Sequence, residues 1–185
     1  ALVTRRADLA ERLRLLRSHG MTTLTWDRHR GHASSYDVVL PGLNYRFDEI
    51  RAAIGLCQLD RLADNNARRG RVVHAYRRAL DGVDGLVVPF ADRDESTFHL
   101  FPVVLPAGTD REAVMARLRA AGIGTSVHYP PTHLFSAYHG SSPPLPRAEA
   151  LAPRILTLPL YPALADDDVA LVARELRSAL GADHQ

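Results

Sequence analysis

Two short runs hold most of the residues in this chain that could act on a ligand. The first, Gly42-Leu43-Asn44-Tyr45-Arg46-Phe47-Asp48-Glu49-Ile50, sets an amide, a phenol and a guanidinium ahead of an acidic residue suited to cap a helix. Residues in that position lie near unpaired backbone N–H groups and the positive end of a helix dipole, which favours an anion such as phosphate. The same run also reads as an ordinary loop capped by Asp48, and both readings stand open. The second run, Val127-His128-Tyr129-Pro130-Pro131, puts an imidazole and a phenol at the end of an expected strand, before two prolines that hold the loop. There His128 can give a proton or a hydrogen bond to a ligand, or be satisfied by loop backbone. His128, His133 and His139 have no carboxylate or cysteine at a recognised zinc spacing, so no metal site is expected. All 23 basic residues counted as lysine or arginine are arginine. Chemistry that needs a side-chain amine is therefore excluded, and no glycine-rich phosphate loop or nucleophile elbow is present.

The elements that must carry these runs follow from periodicity and punctuation. A helix is expected over 4–18, with Asp8 and Glu11 in a capping pattern, a stripe of Leu9, Leu13 and Leu16, and Gly20 closing it. Residues 21–41 show no clean period and read as a long loop with a short strand at Val38–Leu40. Trp26 within it is a core residue or an interface anchor. Helices at 48–62 and 63–80 follow, the first with Ile50, Ala53, Ile54 and Cys57 on one side. After the turn cluster 81–85 the pattern becomes strands at 86–89, 97–105 and 123–127 around a helix at 109–121. Thr109 and Glu112 form its capping box, and Gly122 ends it. Pro102 argues for an edge or a bulge in its strand. A short helix at 147–152 leads into Ile155–Leu160, and a last helix at 165–180 presents Val169, Val172, Leu176 and Leu180 to a core. The three strands and the helices at 109–121 and 165–180 are expected to share that core. The ending 181–185 should fray.

With 185 residues, 46% apolar and 24% charged, the chain can bury one good core or two small ones. A net charge of +2 is too small to argue for nucleic acid or an anionic membrane, and the strip Arg68-Arg69-Gly70-Arg71 with Arg77-Arg78 reads as a solvated helix face. No apolar run approaches the ~18 residues of a membrane span, so a cytoplasmic location is the expectation. The single cysteine, Cys57, is expected as a packed thiol. Because Ala1-Leu2-Val3-Thr4 reads like the end of a strand, the chain is expected to be a fragment.

Several runs, taken together, resemble one family. They are residues 10–20, Trp26-Asp27-Arg28, residues 42–50, Gly122-Ile123-Gly124-Thr125-Ser126-Val127-His128-Tyr129-Pro130-Pro131, and Leu156-Thr157-Leu158-Pro159-Leu160-Tyr161-Pro162. In this order, from about residue 1 to 180, they are similar to the C-terminal half of the DegT/StrS-type sugar aminotransferases, which use pyridoxal phosphate on the aspartate aminotransferase fold. The flavour is that of actinobacterial enzymes of amino-sugar and antibiotic biosynthesis. The resemblance implies an α/β architecture: the tail of the large cofactor domain over 1–68, then a small α+β domain with a short antiparallel sheet over 69–185.

The resemblance also implies roles. Asn44 and Arg46 would bind the cofactor phosphate of the other subunit across a dimer interface, and Tyr45, His128 and Tyr129 would contact the substrate. That substrate would be a nucleotide-linked keto sugar, aminated from an amino-acid donor such as glutamate. The Schiff-base lysine, the aspartate at the pyridine nitrogen, the ring-stacking aromatic and the phosphate loop match nothing here, so no catalytic residue is assigned and the chain alone is expected to be inactive. Two further readings are a truncated, non-catalytic homologue that pairs with a full-length enzyme, and a pyridoxal-phosphate sugar dehydratase of the same fold. A homodimer or heterodimer is implied, without nucleic acid or membrane.

Overall fold

The computed structural model describes residues 2–22, 37–90, 96–138, 140 and 143–181. Trp26, His139, most of the long loop and the last four residues lie outside the described residues. The chain divides into two compact units, Ala1–Asp60 and Arg61–Gln185.

In the first unit, α1 spans Ala7–Leu16. The expected Asp8–Glu11 cap does not form. Asp8 instead pairs with Arg6 at 2.6 Å, and this exposed pair holds the Asp8 carboxyl below its ordinary range. At the other end His19 and Gly20 both adopt positive φ, and the Gly20 N–H returns to the Leu15 carbonyl at 2.8 Å. The chain beyond the loop then runs back along this turn. Thr22 N–H donates to Asp37 O and Val39 N–H to Gly20 O, both at 3.0 Å, and Met21 bridges Val38 in the stretch expected as a strand.

This doubling-back leaves no room at Gly42, where a Cβ would collide with the Gly20 amide nitrogen and the His19 carbonyl carbon. Both colliding atoms are backbone and cannot swing away. Gly42→Ala is therefore expected to cost ~3 kcal/mol, the upper end of ordinary point substitutions. Hydrogen exchange at the His19, Leu43 and Tyr45 amides would report it, and unchanged protection would contradict this packing.

Helix α2, Glu49–Asp60, starts where the sequence placed it. Asp48 accepts from the Arg51 N–H at 2.8 Å and also pairs with the Arg51 guanidinium at 3.2 Å. No residue of α2 is buried, and Ile50 is 76% and Leu59 63% exposed. Cys57, expected as a packed thiol, is exposed as well. Among the described residues of this unit, no opposing layer covers the apolar stripe to which it belongs.

The second unit has a real core. Helix α3, Leu62–Ala79, buries Gly70, Val72, Val73 and Tyr76. A Cβ at Gly70 would meet the Phe98 ring at 3.2 Å, so the glycine permits a close approach. Strands β1, Phe101–Val104, and β2, Ile155–Leu158, pair antiparallel with Phe101 opposite Leu158 and Val104 opposite Ile155. Val87 joins β1 through Val104, and Ser126 joins β2 through Thr157, each by a single bridge.

The sheet thus differs from the expected one. The segment 155–158, to which the sequence pattern assigns no element, lies between β1 and Ser126, while 86–89 and 123–127 reduce to single bridges. Three of the four β2 residues are buried, which erases the alternation that marks a half-buried strand. Pro102 keeps its edge character. Val104 turns its N–H and C=O toward Val87, so by the twofold alternation Pro102 turns its missing donor the same way, beyond that one bridge.

Helix α4, Arg111–Ala120, is capped by Asp110, which accepts from Glu112 N at 3.0 Å and Ala113 N at 3.2 Å, and not by Thr109. Two adjacent residues both suited to capping make that choice illegible from sequence. Helix α5, Pro146–Leu151, runs into a 3₁₀ turn, and α6 spans Asp166–Ala179. Val114 and Leu118 of α4 and Val169, Val172 and Leu176 of α6 enter one cluster with Tyr76, Val103 and Leu156. The shared core expected for these two helices and the sheet is therefore present. Among the described residues no helix is long and apolar enough to cross a membrane.

Candidate functional site

The two candidate loops belong to different units. In the first, Asn44 bridges the buried Ser18 at the end of α1. Leu43 N–H donates to Leu16 O at 2.6 Å, His19 N–H to Leu43 O at 2.9 Å, and Tyr45 N–H to Arg17 O at 2.8 Å. Main chain thus fixes the position of residues 43–45 and leaves their side chains free to work. Asn44, Tyr45 and Arg46 are exposed, Tyr45 by 74%. Asp48 already holds the Arg51 amide and brings a negative charge to the front of α2. An anion at this corner would therefore be met by the amide, phenol and guanidinium side chains more than by the helix end.

In the second unit His128 is half-buried at the end of the segment that joins the sheet through Ser126. Its Nδ1 lies 3.0 Å from the Thr157 hydroxyl, so a β2 side chain satisfies it and loop backbone does not. Tyr129 is 70% exposed, and its ring meets the His128 ring edge-on at 4.8 Å. Thr157 is the neighbour of His128 that sequence reasoning missed. Its signal is visible in retrospect: a lone hydroxyl in the apolar run Ile155-Leu156-Thr157-Leu158.

His133, considered as a metal ligand, is engaged differently. Its Nε2 lies 3.0 Å from Glu149 Oε1, which also accepts the Leu145 N–H at 2.8 Å, tying the 3₁₀ turn Thr132–Leu134 to α5. The Leu145 N–H first, then His133, hold the Glu149 carboxyl below its ordinary value of 4.5. A depressed folded value means the contact contributes fully above that ordinary value and is lost as pH falls through the folded one. Acidification below that ordinary value is thus expected to release the turn Thr132–Leu134 from α5 before the core opens. The protection of the Leu134 and Phe135 amides, taken relative to their intrinsic exchange rates, would read this, and unchanged protection between pH 6 and about pH 3 would refute it.

A cleft of about 570 Å³ opens between α3 and the turn before α6, lined among others by Arg68, Arg71, His74, Arg78 and Asp166. This is the arginine strip read as a solvated face. Its walls carry both signs, with Arg68 also held by Asp64 at 2.8 Å.

Pyridoxal phosphate fits these residues at one end only. Asn44 and Arg46 suit its phosphate, while a chain without lysine offers no side-chain amine for its aldehyde carbon.

Comparison with known proteins agrees along the whole chain. Spore coat polysaccharide biosynthesis protein SpsC of Bacillus subtilis is 35% identical over 193 residues, covering 98% of this chain and 50% of SpsC. The aminotransferase TlmJ from Streptoalloteichus hindustanus superposes with a TM-score of 0.82 at 36% identity, over 96% of this chain and 46% of TlmJ. Helicobacter pylori PseC, an aminotransferase involved in the biosynthesis of pseudoaminic acid, superposes at 0.86 with 25% identity, over 97% of this chain and 48% of PseC. The chain spans about half the length of these relatives. With residues 1–177 matching its pattern, the chain belongs to the DegT/DnrJ/EryC1/StrS aminotransferase family.

Proposed function

We propose that this chain is the C-terminal part of a pyridoxal-phosphate aminotransferase that moves an amino group from an amino acid, by preference glutamate, to a nucleotide-linked keto sugar. The single observation that carries this is the family match over residues 1–177 in a chain that contains no lysine. Residues 1–68 are the tail of the large cofactor domain in this reading, and 69–185 the small domain. The whole enzyme is a cytoplasmic dimer serving amino-sugar biosynthesis.

Pyridoxal phosphate, when bound, supplies the electron sink for amino transfer. This chain's own residues bind and orient. The Asn44 carboxamide and the Arg46 guanidinium hold the phosphate of the opposite subunit's cofactor, a charge-assisted pairing. Tyr45, His128 and Tyr129 contact the sugar nucleotide. The exposed apolar side of α2 is the surface that the remaining half of the enzyme, or a partner subunit, covers.

Mixed with pyridoxal phosphate, glutamate and a nucleotide-linked keto sugar, the chain alone is expected to give no amino sugar, followed by mass spectrometry of the product. Co-expression with the N-terminal half of SpsC is expected to restore it. Turnover by the chain alone would overturn the assignment of the chemistry to the other half. A second reading, a non-catalytic subunit that completes a full-length enzyme, is favoured by the same missing lysine and the uncovered α2 face.

A further inference from the structure

We propose that Thr157 is a positioning residue that holds neutral His128 in the tautomer protonated on Nε2, so that His128 offers the ligand an N–H donor. The ligand atom it meets is then an acceptor oxygen, a carbonyl, hydroxyl or phosphate oxygen, and not a second donor. The part concerning the ligand rests on the functional reading above; the tautomer does not.

The argument is one of hydrogen-bond completeness. Thr157 is 5% exposed, and its backbone N–H and C=O are both taken by Ser126, at 2.8 and 3.1 Å. Its hydroxyl carries one donor and two acceptor positions, and its partner among the described residues is His128 Nδ1 at 3.0 Å. Were Nδ1 to carry the proton, the hydroxyl would accept, and its own O–H would be buried with no acceptor, an arrangement folded proteins avoid. With the hydroxyl donating to Nδ1, the buried hydroxyl proton is used and the ring proton sits on Nε2. That nitrogen has no partner among the described residues and is not among the buried polar atoms left without one, so it remains open to a ligand.

The test is long-range ¹H–¹⁵N correlation on the chain labelled with ¹⁵N-histidine, at a pH where the ring is neutral, with His128 assigned through His128→Gln. The expected wild-type pattern is a pyridine-like Nδ1 and a protonated Nε2, favoured about fivefold more than in a free histidine, the ratio that one net hydrogen bond supplies. Thr157→Val, which keeps the branched shape and removes the hydroxyl, should return the ratio to that of a free histidine, and Thr157→Ser should restore the excess. Should Thr157→Val unfold the sheet, the wild-type and Thr157→Ser spectra still decide. A wild-type ring protonated on Nδ1, or a Thr157→Val ring with an unchanged pattern, overturns the proposal. Because the spectrum is read without ligand, failure of the amino-transfer assay leaves this assignment standing, and a reversed tautomer sinks it whatever the assay gives.

Discussion

Asn44→Ala in this chain should remove, at cofactor concentrations that do not saturate, its ability to rescue a full-length relative whose own Asn-Tyr-Arg loop has been disabled. In the mixed dimer proposed above, the relative would supply the lysine and the ring-binding residues, and this chain the carboxamide that reaches the phosphate. Main-chain bonds at 2.6–2.9 Å on both sides of Asn44 hold its backbone in place, so the substitution removes the side chain's contribution and leaves the loop path intact. A hydrogen bond to a charged phosphate is worth ~2–3 kcal/mol, which is roughly a 30- to 140-fold loss of cofactor affinity. Cofactor titration of the mixed dimer should show that shift, with activity recovered at saturating cofactor. Rescue by Asn44→Ala at the same cofactor concentration as the unsubstituted chain would contradict the role given to this loop. The chain alone should not hold the cofactor, because two or three such bonds do not offset the immobilisation of a small ligand.

The other large effect is expected in the core of residues 61–185. Tyr76 is fully buried, stacks on Phe101 with ring centroids 4.8 Å apart, and donates its hydroxyl to the Pro159 carbonyl at 3.0 Å. Burial first, then the nearby Tyr161 and Asp168, pushes its phenol far above the ordinary range, so the group stays a donor at every working pH. Tyr76→Phe keeps the stack and orphans a carbonyl, and should cost about 1 kcal/mol. Tyr76→Ala also opens a cavity where α3, β1 and the turn after β2 meet, and should cost ~3–5 kcal/mol. Against a net stability of ~5–15 kcal/mol, that leaves the fold marginal or lost. Hydrogen exchange at the Val103 and Leu156 amides reports this unit by itself. A Tyr76→Ala loss no larger than that of Tyr76→Phe would show that the ring is not the keystone its burial makes it.

Much of this protein was decided within a few residues along the chain, and those parts were readable. Asp48 caps α2 because a carboxylate one position before the helix reaches the third amide. Gly122 ends α4 because only a residue without Cβ adopts φ of 79° at no cost, and three aspartates open α6 where the dipole favours them. The Asn44-Tyr45-Arg46 and His128-Tyr129 runs stood out for the same reason, since their chemistry is a property of adjacent side chains. Pairings between distant residues were not readable. Nothing local says that 155–158 pairs with 101–104 in the middle of the sheet, because a strand buried on both faces loses the alternation that would announce it. The Thr157 hydroxyl beside His128 and the Glu149 carboxylate beside His133 are contacts across 29 and 16 positions. Cys57 makes the converse point: its helical stripe was legible, but whether a stripe is buried depends on an opposing layer, which no property of the stripe itself encodes.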